Sequence, residues 1–236
     1  KTLVEALLKD RMNQLVNARK KQKYVEPNLF DWIMNSKLYD KLVDYDFKSL
    51  FAKKHYAYFT EGSYNMNIIG VRAKTDKVVT NKFDDFIILD YKDESGKWCR
   101  QIYKATTDPG ITWLNYPMDV KGCAMMVPGQ YRGLWRIGMH KGKYKALVQN
   151  RPVTVYRDNN KDSVYDIDAA TLHTGVFGIN LHHAGADSVQ VDKWSAGCQV
   201  VARLRDFQQL MSIVSKQKAP SYTYTLIKEE DLWKLK

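Results

Sequence analysis

Apolar positions along this chain follow two periods, and the change from one to the other divides it. Leu3, Leu7, Leu8, Leu15 and Val16 fall roughly on one face of a 3.6-residue repeat, which ends in the basic run Arg19-Lys20-Lys21 ahead of Pro27. A second stretch of similar pattern offers Leu29, Trp32, Ile33, Leu38, Leu42 and Val43. Both predict helices. From Gly62 onward the apolar residues come in short runs between turn formers, at 65–71, 85–91, 97–103, 133–139 and 145–156, which predicts strands. Val200-Val201 adds a short extended segment. A helix is predicted from Leu204 to Ser215, with Phe207, Leu210, Met211 and Val214 on one face, and a last strand over 221–227 follows Pro220. The fold class read from this pattern is mostly β (α+β), with a helical extension over 1–57 and a β-rich domain over 58–236.

Composition narrows the class. With 236 residues, 44% of them hydrophobic, the chain can bury a substantial core, and no apolar run approaches the length of a membrane-spanning helix. The reading is a soluble protein with no membrane span. No signal peptide is visible, and the chain begins with Lys1 rather than Met. The 37 Lys and Arg against 26 Asp and Glu give a formal charge of +11, which predicts attraction to polyanions that weakens with salt. The basic residues are dispersed and match no nucleic-acid module, so nucleic acid is not the expected partner.

Three cysteines at wide spacing make neither a disulfide framework nor a Cys-x-x-Cys metal pair. Asp158-Asn159-Asn160-Lys161-Asp162-Ser163 spaces its oxygen side chains as a calcium loop does. Ser163 stands at the sharp-turn glycine position and Ala169 where a bidentate Glu belongs, so a polar turn is expected. No metal and no cofactor is expected.

The chemistry concentrates in Trp194-Ser195-Ala196-Gly197-Cys198-Gln199, downstream of Asn180-Leu181-His182-His183. A thiol needs a base and, for acyl transfer, backbone N–H donors for the oxyanion it creates, and this segment offers both. Successive side chains of an extended segment point to opposite faces, so only one of His182 and His183 can meet the cysteine. Cys99 and Cys123 lack such neighbours and read as strand or core thiols. His173 reads as a structural histidine, and His55 and His140 stand outside any comparable context.

This arrangement resembles the L,D-transpeptidase catalytic domain, the YkuD-like family, whose signature is a His followed after a spacer by Ser/Thr-His-Gly-Cys. The likeness covers roughly Val120 to Ile227, and Val127-Pro128-Gly129-Gln130-Tyr131 is similar to the turn that opens much of that family's β-rich core. The resemblance implies a YkuD-like β-rich catalytic domain in which Cys198 is the nucleophile, His182 the base, and Ser195 and Gly197 parts of the catalytic turn. It selects His182 over His183. Substrate-groove roles are assigned to His183, Trp194, Tyr131 and Arg203, the last as a holder of a substrate carboxylate. The implied reaction is acyl transfer on peptidoglycan stem peptides, ending in hydrolysis or transpeptidation. Peptidoglycan or another anionic cell-wall polymer is the implied partner, and the bacterial cell wall or periplasm the site of action. Ala196 stands where most members carry a second His, and Gln199-Val200 also departs from the pattern, which points to hydrolysis or weak activity more than efficient cross-linking. The alternative is a degenerate domain of a bacteriophage virion, binding the wall or other virion proteins, with Cys198 as a vestige.

Overall fold

A computed structural model of the protein describes residues 37–74 and 79–233. By its contacts the chain separates into two units, Lys1–Leu38 and Tyr39–Lys236. The helical pattern read over 1–36 lies outside the described residues. Residues 37–43 are helical. A separate helix, α1 (Phe47–Lys53), starts at Asp46, whose carboxylate accepts the Ser49 amide at 3.0 Å.

The second unit is mostly β. Eight strands close into a barrel: β1 (Asn67–Arg72), β2 (Asp85–Lys92), β3 (Trp98–Thr106), β5 (Gly129–His140), β6 (Tyr144–Gln149), β9 (Leu181–His183), β10 (Gln199–Val201) and β11 (Tyr222–Lys228). Around the barrel the order is β1-β11-β5-β6-β9-β10-β3-β2, with β2 returning to β1. The β1–β11 and β9–β10 pairs are parallel and the others antiparallel. A smaller sheet of β4 (Cys123–Met126), β7 (Val153–Asp158) and β8 (His173–Gly175) stands beside it.

The expected run over 145–156 is two strands rather than one. It breaks at Asn150-Arg151-Pro152, where the Asn150 and Arg151 amides both turn to the Leu134 carbonyl and Pro152 has no N–H to offer a ladder. β7 then joins the smaller sheet instead of the barrel.

The barrel is filled by large side chains. Trp135 and Tyr224 are fully buried with ring centroids 4.5 Å apart, among Ile87, Leu89, Leu147 and Leu181. Both have their polar atoms satisfied in ways that pin the neighbouring elements. Trp135 Nε1 donates to the Ile179 carbonyl at 2.9 Å, and the Tyr224 hydroxyl donates to Gln199 Oε1 at 2.6 Å. The first bond holds the segment entering β9 and the second the first residue of β10. A side chain at Gly70 would overlap the Tyr224 hydroxyl, so the bare backbone there makes room for this contact.

Helix α3 (Leu204–Val214) covers the core with Phe207, Leu210 and Val214, spaced three and four residues apart. Each such buried side chain contributes roughly 1.5–3 kcal/mol. Among the described residues, no helix is long and apolar enough to cross a membrane.

Candidate active site

Strands β9 and β10 run parallel with His182 opposite Val200 and Leu181 opposite Gln199. The residue before β10, Cys198, therefore lies level with Asn180 at one end of the pair, where the Gln199 amide donates to the Asn180 carbonyl at 2.9 Å. Both His182 and Cys198 line one cavity of about 670 Å³, together with His140, Lys141, Asn180 and Trp194.

The turn that presents Cys198 is closed by Ser195. Its fully buried hydroxyl donates to the Cys198 carbonyl at 2.7 Å and accepts the Gly197 amide at 3.2 Å. Gly197 has φ +124°, and a Cβ there would lie 2.5 Å from the Ala124 carbonyl oxygen of β4, so glycine is required twice over. The Ser195 carbonyl accepts the Gly110 amide at 2.8 Å, and the Trp113 indole in α2 (Ile111–Asn115) donates to the Lys193 carbonyl at 3.0 Å. The smaller sheet and α2 thus clamp the turn from two sides. Ser195 and Gly197 shape the turn without facing the cavity. Because Ser195 Oγ takes the Gly197 amide, the expected contribution of that N–H to an oxyanion hole is removed. Among the described residues no acceptor takes the Cys198 amide.

Cys198 is half-buried, and its thiol donates to the Gly178 carbonyl at 3.4 Å. Burial raises its pKa above the ordinary thiol value, outweighing the Asn180 amide and the Lys141 charge, which both favour the thiolate. Burial likewise pushes the Cys123 thiol up to about 12. The Cys99 thiol is also raised, by burial and by Asp93 beside it.

His182 is buried. Its Nδ1 sits 2.9 Å from the His183 carbonyl and 3.4 Å from the Tyr144 hydroxyl. A carbonyl can only accept, so Nδ1 carries the proton and Nε2 keeps its lone pair. Burial, reinforced by His140, pushes the His182 pKa down to about 3. Cys198 and His182 therefore face one cavity as a neutral thiol and a neutral imidazole rather than as an ion pair.

The other predicted residues divide between the cavity and elsewhere. Trp194 lines the cavity, 38% exposed. His183 points to the opposite face of β9, where its ring packs on Tyr144 and Phe207 at 4.4 and 5.1 Å and its Nδ1 donates to the Ala184 carbonyl. Arg203, just before α3, pairs with Asp187 at 3.1 Å outside the cavity lining. Tyr131 also lies outside it, its hydroxyl donating to the Val127 carbonyl at 2.7 Å.

His140, which had no context in the sequence, belongs to the site. It is the last residue of β5, buried, with its ring stacked on His182 at 4.1 Å and 24°. Burial lowers its pKa to about 4. No sequence spacing announces it, because the β5–β6 hairpin and the β6–β9 pairing carry it to His182. Three cationic side chains, Lys141, Arg157 and Lys193, also line the cavity. The 158–166 loop is a polar turn in which Asn160 Nδ2 bridges Asp162 and Asp166. Among the described residues no group of three His, Cys, Asp or Glu is placed to hold a metal ion.

Comparison with known protein families, curated proteins and solved structures finds no match to this chain.

Proposed function

We propose that the protein is a YkuD-like, cysteine-dependent acyl transferase acting on peptidoglycan stem peptides. The observation that carries the reading is that Cys198 and His182 line one cavity, with His182 held in the tautomer whose Nε2 can accept a proton. The Cys198 thiol gives its proton to His182 Nε2 as its sulfur bonds to the substrate's carbonyl carbon. The carbonyl π pair moves onto oxygen. Collapse breaks the bond to the leaving amine, which takes the proton from His182 and leaves a thioester on Cys198. Water or a second amine then releases the acyl group. Since thiol and imidazole are both neutral at rest, proton transfer accompanies attack instead of preceding it.

Arg157 is paired with Asp119 of the same lining, which leaves Lys141 and Lys193 to suit an acidic peptide, and the overall charge of +11 suits an anionic wall polymer in the bacterial cell wall or periplasm. One observation favours a second reading, a wall-binding or phage virion component without turnover: the Cys198 thiol is raised and parked on the Gly178 carbonyl. Mass spectrometry of the Cys198 peptide after incubation with muropeptides, and separately with a carbapenem, separates the two. An adduct absent from Cys198→Ser, with shortened or cross-linked stems, supports acyl transfer. A folded protein that yields neither adduct nor product supports the binding role.

A further inference from the structure

His140 and His182 stack as neutral rings, and the groups around them fix opposite tautomers. Asn180 Oδ1 accepts the backbone amide of Gln149 at 2.8 Å. That settles which way its side-chain amide points, so its Nδ2 faces His140 Nδ1 at 3.0 Å. An amide NH₂ only donates, so His140 Nδ1 is bare and the ring proton is on Nε2. His182 has the reverse arrangement, with its proton on Nδ1 toward the His183 carbonyl. With Nδ1 taken by Asn180, Nε2–H is the polar atom His140 has left to offer the cavity it lines. Two rings 4.1 Å apart thus carry opposite chemistry in the cavity that Cys198 also lines: His182 a lone pair, His140 a donor.

We propose that His140 is a catalytic residue whose Nε2–H donates a hydrogen bond to the carbonyl oxygen of the acyl donor and holds the oxyanion formed when Cys198 attacks. This rests on the acyl-transfer reading above. The turn itself is short of donors, since the Gly197 amide is taken by Ser195 Oγ. Preorganised donors at the developing oxyanion are among the largest contributions to acyl transfer, and a neutral imidazole can serve as one. The proton balance stays fixed through the step. His182 gains the thiol proton and later gives it to the leaving group, while His140 keeps its own. With the two rings stacked, a positive charge on one opposes a second on the other, and the bare Nε2 of His182 makes it the ring that takes the proton.

The test compares two reactions of the same sulfur. Acetylation of Cys198 by p-nitrophenyl acetate passes through an oxyanion, whereas alkylation by iodoacetamide does not. His140→Phe should slow acetylation on the order of 100-fold while leaving alkylation at the same pH within about twofold, and His140→Gln, which retains an N–H, should recover much of the loss. Equal loss in both reactions, or loss in neither, overturns the assignment. Wild-type protein that alkylates but does not acetylate at Cys198 overturns the acyl-transfer reading itself, a different failure from a wild-type enzyme that acetylates no better than His140→Phe. Long-range ¹H–¹⁵N NMR of the unaltered protein supplies a readout independent of variant folding. A proton on Nε2 of His140 and on Nδ1 of His182 is expected, and a proton on Nδ1 of His140 would overturn the proposal.

Discussion

A thiol becomes a nucleophile when its surroundings favour the negative form, and those around Cys198 pull in both directions. Burial opposes the thiolate, while the Asn180 amide and the Lys141 ammonium favour it, and burial wins. His182, neutral at rest, lends no charge. Alkylation of Cys198 should therefore rise about tenfold per pH unit across the neutral range, with no inflection near the ordinary histidine pKa of about 6.5. Removing the positive charge with Lys141→Met should displace this profile to higher pH, and Lys141→Arg should leave it in place. His182→Ala should hardly move the profile yet abolish acyl transfer, because its work begins only when the proton leaves sulfur. A plateau below pH ~8 would mean a preformed thiolate–imidazolium pair, which the neutral environment of both groups does not allow.

At the scale of elements, the site is a turn clamped between the smaller sheet and α2, and its stability should show this. Ser195→Ala leaves the Gly197 amide and the Cys198 carbonyl without their partner in a buried turn, a loss of about 1–3 kcal/mol by denaturant titration. Gly197→Ala should be worse, since its Cβ meets the β4 backbone, and Cys198 reactivity should change with it. Periodicity made several elements legible: β1, β2, α3 and β11 lie within a few residues of the apolar runs that predict them, because each has its own pattern and length. Strand alternation also separated the two histidines of β9, one toward the cavity and one toward Phe207. The position of His140 against His182 was not legible, because it depends on register between strands about which local sequence is silent. Arg203 and Tyr131 failed to reach the cavity for the same kind of reason. Nearer partners, Asp187 and the Val127 carbonyl, take their polar ends.

For the molecule as a whole, two buried groups of titrating side chains set opposing pH dependences. His182 and His140 have folded pKa values of about 3 and about 4, below the unfolded value of 6.5. The folded state must keep them neutral, so the stability they contribute is complete above pH 6.5 and is lost as pH falls through their folded values. In the opposite sense act three neighbouring carboxyls: Asp108, whose Oδ1 lies 2.7 Å from Nε of the buried Arg72, Asp85, joined to Arg72 through Thr107, and Asp84, which feels the Asp108 charge. Burial raises all three carboxyls, and Asp84 rises to about 6 from 3.8. A raised carboxyl has the opposite sign: its contribution is complete below the unfolded value of 3.8 and is lost as pH rises through about 6. Between these limits acidification weakens the histidine pair and relieves the carboxylates, and the two trends partly cancel. Asp84→Asn removes part of the carboxylate side only. Its thermal midpoint should then fall more steeply than the wild type's as pH is lowered from 6.5 to 4, whereas His140→Phe should fall less steeply. Parallel melting curves for wild type and Asp84→Asn across that range would show that Asp84 is not held protonated by its burial.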